Sequence, residues 1–151
     1  MNIRWDIKKF EELSTTELYR IMQLRLEVFS VEQNCAYQDA DGKDLKCFHL
    51  IGYNPEGAIL VYSRIVPAEI SFKEVSIGRV ISSNKARGTG AGKELMKKSM
   101  EFIKQQYGNV PIRIGAQCYL IKFYSSFGFE ISGEEYLEDN IPHIEMLFSP
   151  R

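Results

Sequence analysis

The sequence predicts one α/β domain on a mixed sheet, in the order β-α-β-β-β-α-β-α-β-β. Three observations point to it. Short β-branched runs alternate with segments of helical periodicity. Asn54-Pro55-Glu56-Gly57 separates two such runs and marks a hairpin turn. A glycine-rich run, Arg87-Gly88-Thr89-Gly90-Ala91-Gly92, stands between an apolar β-branched segment (Val75 to Ile81) and an amphipathic one (Lys93 to Tyr107).

Each element follows in order. Ile3 to Phe10 forms a first strand. Ser14 or Thr15, with Glu17 close behind, caps a helix whose apolar face carries Leu18, Ile21, Met22, Leu24, Val28 and Phe29. Glu32 to Lys46 is a long polar loop, of a length that often lines a site. Cys47–Tyr53 and Ala58–Val66 make the hairpin, closed by Pro67, and Glu74–Ser82 is the next strand. After the glycine turn a helix runs to Tyr107 and stops at Gly108-Asn109. Pro111–Gly115 is a short strand and Tyr119–Phe127 a short helix ended by Gly128. Phe129–Ser132 and Pro142–Phe148 pair around an acidic connection, Gly133 to Asn140.

Composition bounds the function. A chain of 151 residues, 44% hydrophobic, holds one domain (1–151) with a real core. A net charge of −1 gives no support to nucleic-acid binding. Cys35, Cys47 and Cys118 form no CxxC, and His49 and His143 are the only histidines, so neither a metal site nor a disulfide scaffold is expected. Scattered thiols, a charged N-terminus and the lack of a long apolar run predict a cytoplasmic chain without membrane partners. A monomer or homodimer is expected, with Trp5 and Tyr136 as candidate interface aromatics.

A glycine turn between strand and helix exposes amides without internal partners at the positive end of a helix dipole. Such a turn takes a phosphate or pyrophosphate. A P-loop reading fails twice: five positions before Gly92-Lys93 stands Arg87, and Glu94 follows the lysine. A dinucleotide fingerprint fails because the third glycine is replaced by Lys93. The acidic stretch Asp39 to Asp44 is no calcium loop, since aligning Gly42 puts Tyr37 first and Phe48 last. It reads as a solvated loop bordering a cleft.

What remains is R-x-x-G-x-G, filled by Arg87, Gly90 and Gly92, with Phe123-Tyr124-Ser125-Ser126-Phe127-Gly128-Phe129 downstream. In these two motifs the chain resembles the GNAT N-acetyltransferases. Arg25-Leu26-Glu27-Val28-Phe29, Val31-Glu32-Gln33-Asn34-Cys35, Tyr37 to Asp44, Ile77-Gly78-Arg79-Val80 and Ile141 to Met146 resemble the ElaA-type members, nearly end to end. The resemblance implies a mostly antiparallel sheet flanked by helices. It also implies an enzyme moving the acetyl group of acetyl-CoA to a primary amine, small-molecule or peptide, in a ternary complex. The alternative is a CoA-binding regulatory or interaction module that has lost the reaction.

Roles follow. Backbone amides of Arg87, Gly88, Thr89, Gly90, Ala91, Gly92 and Lys93 bind the pyrophosphate, and a Cβ at the glycines would crowd it or forbid the turn. By resemblance the pantetheine arm runs beside the strand Ile77 to Ser82. An amide near Val80 or Ile81 then holds the thioester oxygen. Tyr124 is either the general acid for the departing thiolate or a core aromatic like Phe123 and Phe127. His143 ranks first for the acceptor pocket and is a catalytic candidate; the base is open between His143, His49, Glu74, Glu145 and water. Arg25, Gln33, Arg79 and Gln117 are placed around the acceptor. Arg25 and Arg79 equally fit buried ion pairs, for instance with Glu27 or Glu145. Gln117 stands where many relatives carry Asn.

Overall fold

Two four-stranded sheets meet at one isolated parallel bridge, Val75 to Ile112. The computed structural model describes residues 2–151. The first sheet is antiparallel, β1 (Arg4–Lys9), β2 (Phe48–Tyr53), β3 (Ile59–Val66) and β4 (Ser76–Ser82), in that order. The second runs β5 (Ile112–Gln117), β8 (Ile141–Phe148), β6 (Phe129–Ile131), with β7 (Tyr136–Glu138) also paired to β8.

Helix α1 (Thr15–Leu26) starts at a capping box: Ser14 Oγ accepts from the Glu17 amide at 3.0 Å, and Glu17 Oε1 accepts from the Ser14 amide at 2.9 Å. Its apolar face packs Ile21 and Leu24, with Val28 beyond, on Ile51, Tyr53, Tyr62 and Ile81. α2 (Ala91–Tyr107) covers the opposite face, setting Leu95, Met96 and Ile103 among Leu50, Val61, Ile65, Ile77, Ile112 and Ile114. Each such buried side chain contributes ~1.5–3 kcal/mol. α2 ends where Gly108, at φ +84°, donates its amide to Lys104 O at 3.0 Å. α3 (Ile121–Ser125) is short and presents Tyr124.

Four local features depart from the sequence reading. The acidic connection holds an additional strand, β7, so the order ends β-β-β. β7 and β8 join through Asp139 (φ 51°) and Asn140 (φ 64°). This is a tight left-handed turn that Asp and Asn tolerate without glycine. Past Leu26 the first helix widens into a π-helical stretch, Glu27–Glu32, and α2 begins at Ala91 rather than Lys93. Trp5 packs half-buried against the core, and Tyr136, also half-buried, stacks on His143 with ring centroids 5.8 Å apart, so neither is fully exposed. Among the described residues no helix is long and apolar enough to cross a membrane, and no cluster of His, Cys, Asp and Glu is arranged to hold a metal.

Candidate active site

Beyond the bridge at Val75, β4 and β5 diverge. The second sheet presents Arg113, Gly115 and Gln117 of β5, with His143 and Glu145 of β8 opposite Gln117 and Gly115, on the exposed side of its pleat. Ile114, Ala116, Ile144 and Met146 take the alternate positions in the core. A cavity of about 1140 Å³ opens between the sheets.

β4 is irregular where it faces this cavity. Gly78 pairs with Arg64 and Ile81 with Tyr62, so Arg79 and Val80 together oppose Ser63 alone. This is a β-bulge, and Arg79 takes φ +49°, a left-handed conformation costly for a residue with a side chain. The bulge frees main-chain groups from the ladder at the middle of the cleft. Val80 and Ile81 both line it, although Ile81 is otherwise a core residue.

The glycine turn closes one end. Gly88 (φ +78°) and Gly90 (φ +85°) are left-handed, which explains glycine at both. Thr89 turns its hydroxyl onto Ala86 O and braces the bend. The amides of Arg87, Gly88, Gly90, Gly92 and Lys93 meet no acceptor among the described residues. Arg87 is bonded at 2.7 Å to Asn84 Oδ1 and at 2.7 Å to Glu32 Oε1.

Tyr124 is 7% exposed and lines the cavity. Burial, with a small push from Tyr119, raises its pKa well above the usual phenol value, so its proton is held throughout the neutral range. Its hydroxyl makes no hydrogen bond to the described protein, unlike that of Tyr62, which meets His49 Nδ1 at 2.7 Å.

His143 also lines the cavity. Its Nδ1 lies 2.7 Å from Ile141 O, an acceptor only, so Nδ1 carries the hydrogen and Nε2 is left facing Glu138 Oε2 at 3.5 Å. Its cross-strand neighbour Gln117 exchanges amide hydrogen bonds with Gln33 at 3.1 and 3.3 Å, joining the end of β5 to the segment after α1. His49 is structural: Nε2 donates to Asp44 O at 3.0 Å, Nδ1 accepts from Tyr62, and burial lowers its pKa. Glu74 and Glu145 are both bonded to Arg113.

Arg25 does not line the cleft. It is fully buried behind it, giving Nε to Asp39 at 2.8 Å, Nη1 to Asp44 at 2.7 Å and Nη2 to Asp39 O at 3.0 Å. Arg79 does line the cleft and donates its Nε to the other Asp39 oxygen at 2.9 Å. Arg64 pairs with Asp41 and Asp44. The stretch Asp39 to Asp44 borders the cleft and is solvated only in part: Ala40, Asp41 and Gly42 are exposed, but Asp39 and Asp44 are buried, and the acids neutralise arginines on α1, β3 and β4. Their partners are these aspartates, not Glu27 or Glu145. Arginines inside apolar elements, matched by acids in one nearby loop, are the sequence signal for this cluster.

A family model described as an acetyltransferase (GNAT) domain matches residues 26–149. Protein ElaA of Escherichia coli is 43% identical over 146 residues, covering 95% of each chain. Its crystal structure superposes with a TM-score of 0.91 over 98% of this chain and 100% of that one. An acyl-CoA N-acyltransferase from Pseudomonas aeruginosa does so with a TM-score of 0.93, at 39% identity and the same coverage. An aminoglycoside 6′-N-acetyltransferase complexed with coenzyme A shares the fold alone, at 14% identity, a TM-score of 0.71 and coverage of 97% and 98%. A splayed pair of strands, a bulge and a glycine turn thus occur in a chain matched by that domain model over most of its length, and the chain belongs to the GNAT acetyltransferase family.

Proposed function

We propose that the chain transfers the acetyl group of acetyl-CoA to a primary amine of a small molecule or peptide by direct attack in a ternary complex. The observation that carries this reading is the course of β4. Its end runs into an amide-rich turn, its middle is bulged free of the ladder, and Tyr124 lines the same cavity. The turn fits a diphosphate: the amides of Arg87, Gly88, Gly90, Gly92 and Lys93 lack acceptors, whereas those of Thr89 and Ala91 are bonded within the turn, and a Cβ at Gly88 or Gly90 would be strained. The coenzyme A held by the aminoglycoside acetyltransferase of the same fold supports the assignment.

Acetyl-CoA, when bound, supplies an acyl group activated by a thiolate leaving group. The residues do the rest. An amide near Val80 or Ile81 holds the thioester oxygen as it gains negative charge. His143 Nε2 takes a proton from the attacking amine, and Glu138 stabilises the resulting imidazolium. Tyr136 fixes the ring by stacking. Tyr124 gives its proton to the departing sulfur, a role suited to a phenol that stays protonated.

The test is thiol release from acetyl-CoA with a panel of amines. Amine-dependent release that falls sharply in Tyr124→Phe is expected. A chain stabilised thermally by CoA, yet silent with every amine, is a binding module instead.

A further inference from the structure

The cleft continues past the bulge, away from the glycine turn, into a corner that acetyl transfer leaves unused. One side of it is Arg64 of β3, 3% exposed, whose neighbour across the ladder is Gly78 of β4. A Cβ at Gly78 would meet nothing within 4 Å, so the strand leaves open space beside this guanidinium. Arg64 gives Nη1 and Nη2 to Asp41 and Asp44, but its buried Nε–H has no acceptor. Buried donors are nearly always satisfied, and this one is closed off from solvent, so the guanidinium takes part in the corner as a buried positive charge rather than as an open donor.

Lys43 enters the same cavity. Its ammonium donates to Ser71 Oγ at 3.1 Å, and no carboxylate lies within ion-pair range of it among the described residues. The other cations that line the cleft are matched: Arg64 and Arg79 by aspartates, Arg87 by Glu32. Asp41, the acid closest to this corner, is itself held by both Arg64 and Arg79. The corner therefore keeps one uncompensated positive charge and a hydroxyl. Across the cavity the character reverses at the β7–β8 hairpin, with Glu138, Asp139 and His143, while Glu145 beyond them is paired with Arg113.

We propose that the amine acceptor also bears an oxyanion, carboxylate or phosphate, which Lys43 and Ser71 hold beside Arg64 while its amine lies against the His143 wall. The inference rests on the acetyl-transfer reading of the cleft and narrows it to amino-acid-like acceptors. Lys43 acts on specificity, through charge-assisted hydrogen bonding to the oxyanion.

The experiment compares acceptors that differ only in the anion: lysine with cadaverine, histidine with histamine, and phosphoethanolamine with ethanolamine. The first two pairs test carboxylate and the third phosphate. The wild type is expected to favour the anionic member of at least one pair by about tenfold or more in kcat/KM. Lys43→Met brings that ratio towards one, Lys43→Glu reverses it, and Lys43→Arg retains it with an unchanged melting temperature. Equal use of all pairs by the wild type, or a ratio untouched by Lys43→Met, overturns the inference while leaving acetyl transfer standing. If no amine supports thiol release, the acetyl-transfer reading falls. Calorimetric binding of lysine and cadaverine to the CoA-loaded chain then decides: preference for lysine lost in Lys43→Met supports the corner, and equal binding overturns it.

Discussion

Arg79 and Asp39 lock the bulge of β4 to the loop that walls the cleft: Arg79 Nε donates to one carboxylate oxygen of Asp39 at 2.9 Å while Arg25 takes the other at 2.8 Å. Tyr37 adds its hydroxyl at 2.6 Å to the oxygen that faces Arg79. Asp39→Ala leaves a fully buried Arg25 with Asp44 as its one carboxylate partner and frees Arg79 to leave its left-handed conformation. Removing one partner of a buried pair costs about 3–5 kcal/mol. Urea denaturation should show a loss of that order, and a loss below about 1 kcal/mol would show the cluster to be dispensable.

Gln33 and Gln117 join the cleft walls without charge. Their reciprocal amide bonds connect residues far apart in sequence, and Gln117 lies beside His143 on β8. A double-mutant cycle on Gln33→Ala and Gln117→Ala should give a coupling of ~0.5–1.5 kcal/mol in chemical denaturation. Additive single effects would mean the two amides act independently.

What the sequence made legible was local. The Ser14–Glu17 box, the Asn54 to Gly57 hairpin turn and the glycine bend each depend on a few adjacent residues whose backbone preferences are strong. The β7 hairpin was hidden because its turn uses Asp139-Asn140 in place of glycine, and its strand spans only Tyr136–Glu138. The Arg79 bulge was hidden because β-branched neighbours read as regular strand, and only the register against β3 reveals the extra residue. Arg25 was recognised as costly in an apolar face, yet its partners lie in a loop whose acids read as solvent-facing. Pairing across such separations is set by topology, which no periodicity records.

The glycine turn should fail by backbone strain alone. Gly90 at φ +85° has open space where a Cβ would project, so Gly90→Ala meets no clash and tests conformation only. A left-handed non-glycine residue costs roughly 1–2 kcal/mol. If the amides must hold this bend to bind the diphosphate, acetyl-CoA affinity in calorimetry drops about tenfold in Gly90→Ala and further in Gly90→Glu. Unchanged affinity in both variants would remove the turn from the binding site.

Acid should weaken the fold in two stages. Burial lowers the His49 pKa below its ordinary 6.5, so the unfolded chain protonates first. The stability His49 contributes is complete above that value and declines as pH falls below it. Burial pushes Asp41 and Glu17 upward, but hydrogen bonds from Arg64 to Asp41, and from the Ser14 amide, Lys8 and Tyr53 to Glu17, outweigh it and hold each near about 2. Their contribution is intact above the ordinary carboxylate range and is lost as pH falls through about 2. Denaturation followed against pH should show a shallow limb that His49→Gln flattens and a steeper one that remains.

Tyr124 separates chemistry from packing. Its ring touches Phe123 and Phe129 edge-on, with centroids 5.2 and 6.2 Å away, and those contacts survive in Tyr124→Phe. Its hydroxyl holds no partner within the described protein, so deleting it leaves no buried group stranded. Melting temperature and acetyl-CoA affinity should therefore stay near wild type. Loss of a positioned general acid slows turnover by about 10²-fold or more. Steady-state thiol release should fall in kcat by that order with little change in the acetyl-CoA KM. The rate should recover neither at higher acceptor concentration nor at higher pH. Full activity in Tyr124→Phe would leave this ring a core aromatic and return the proton to solvent.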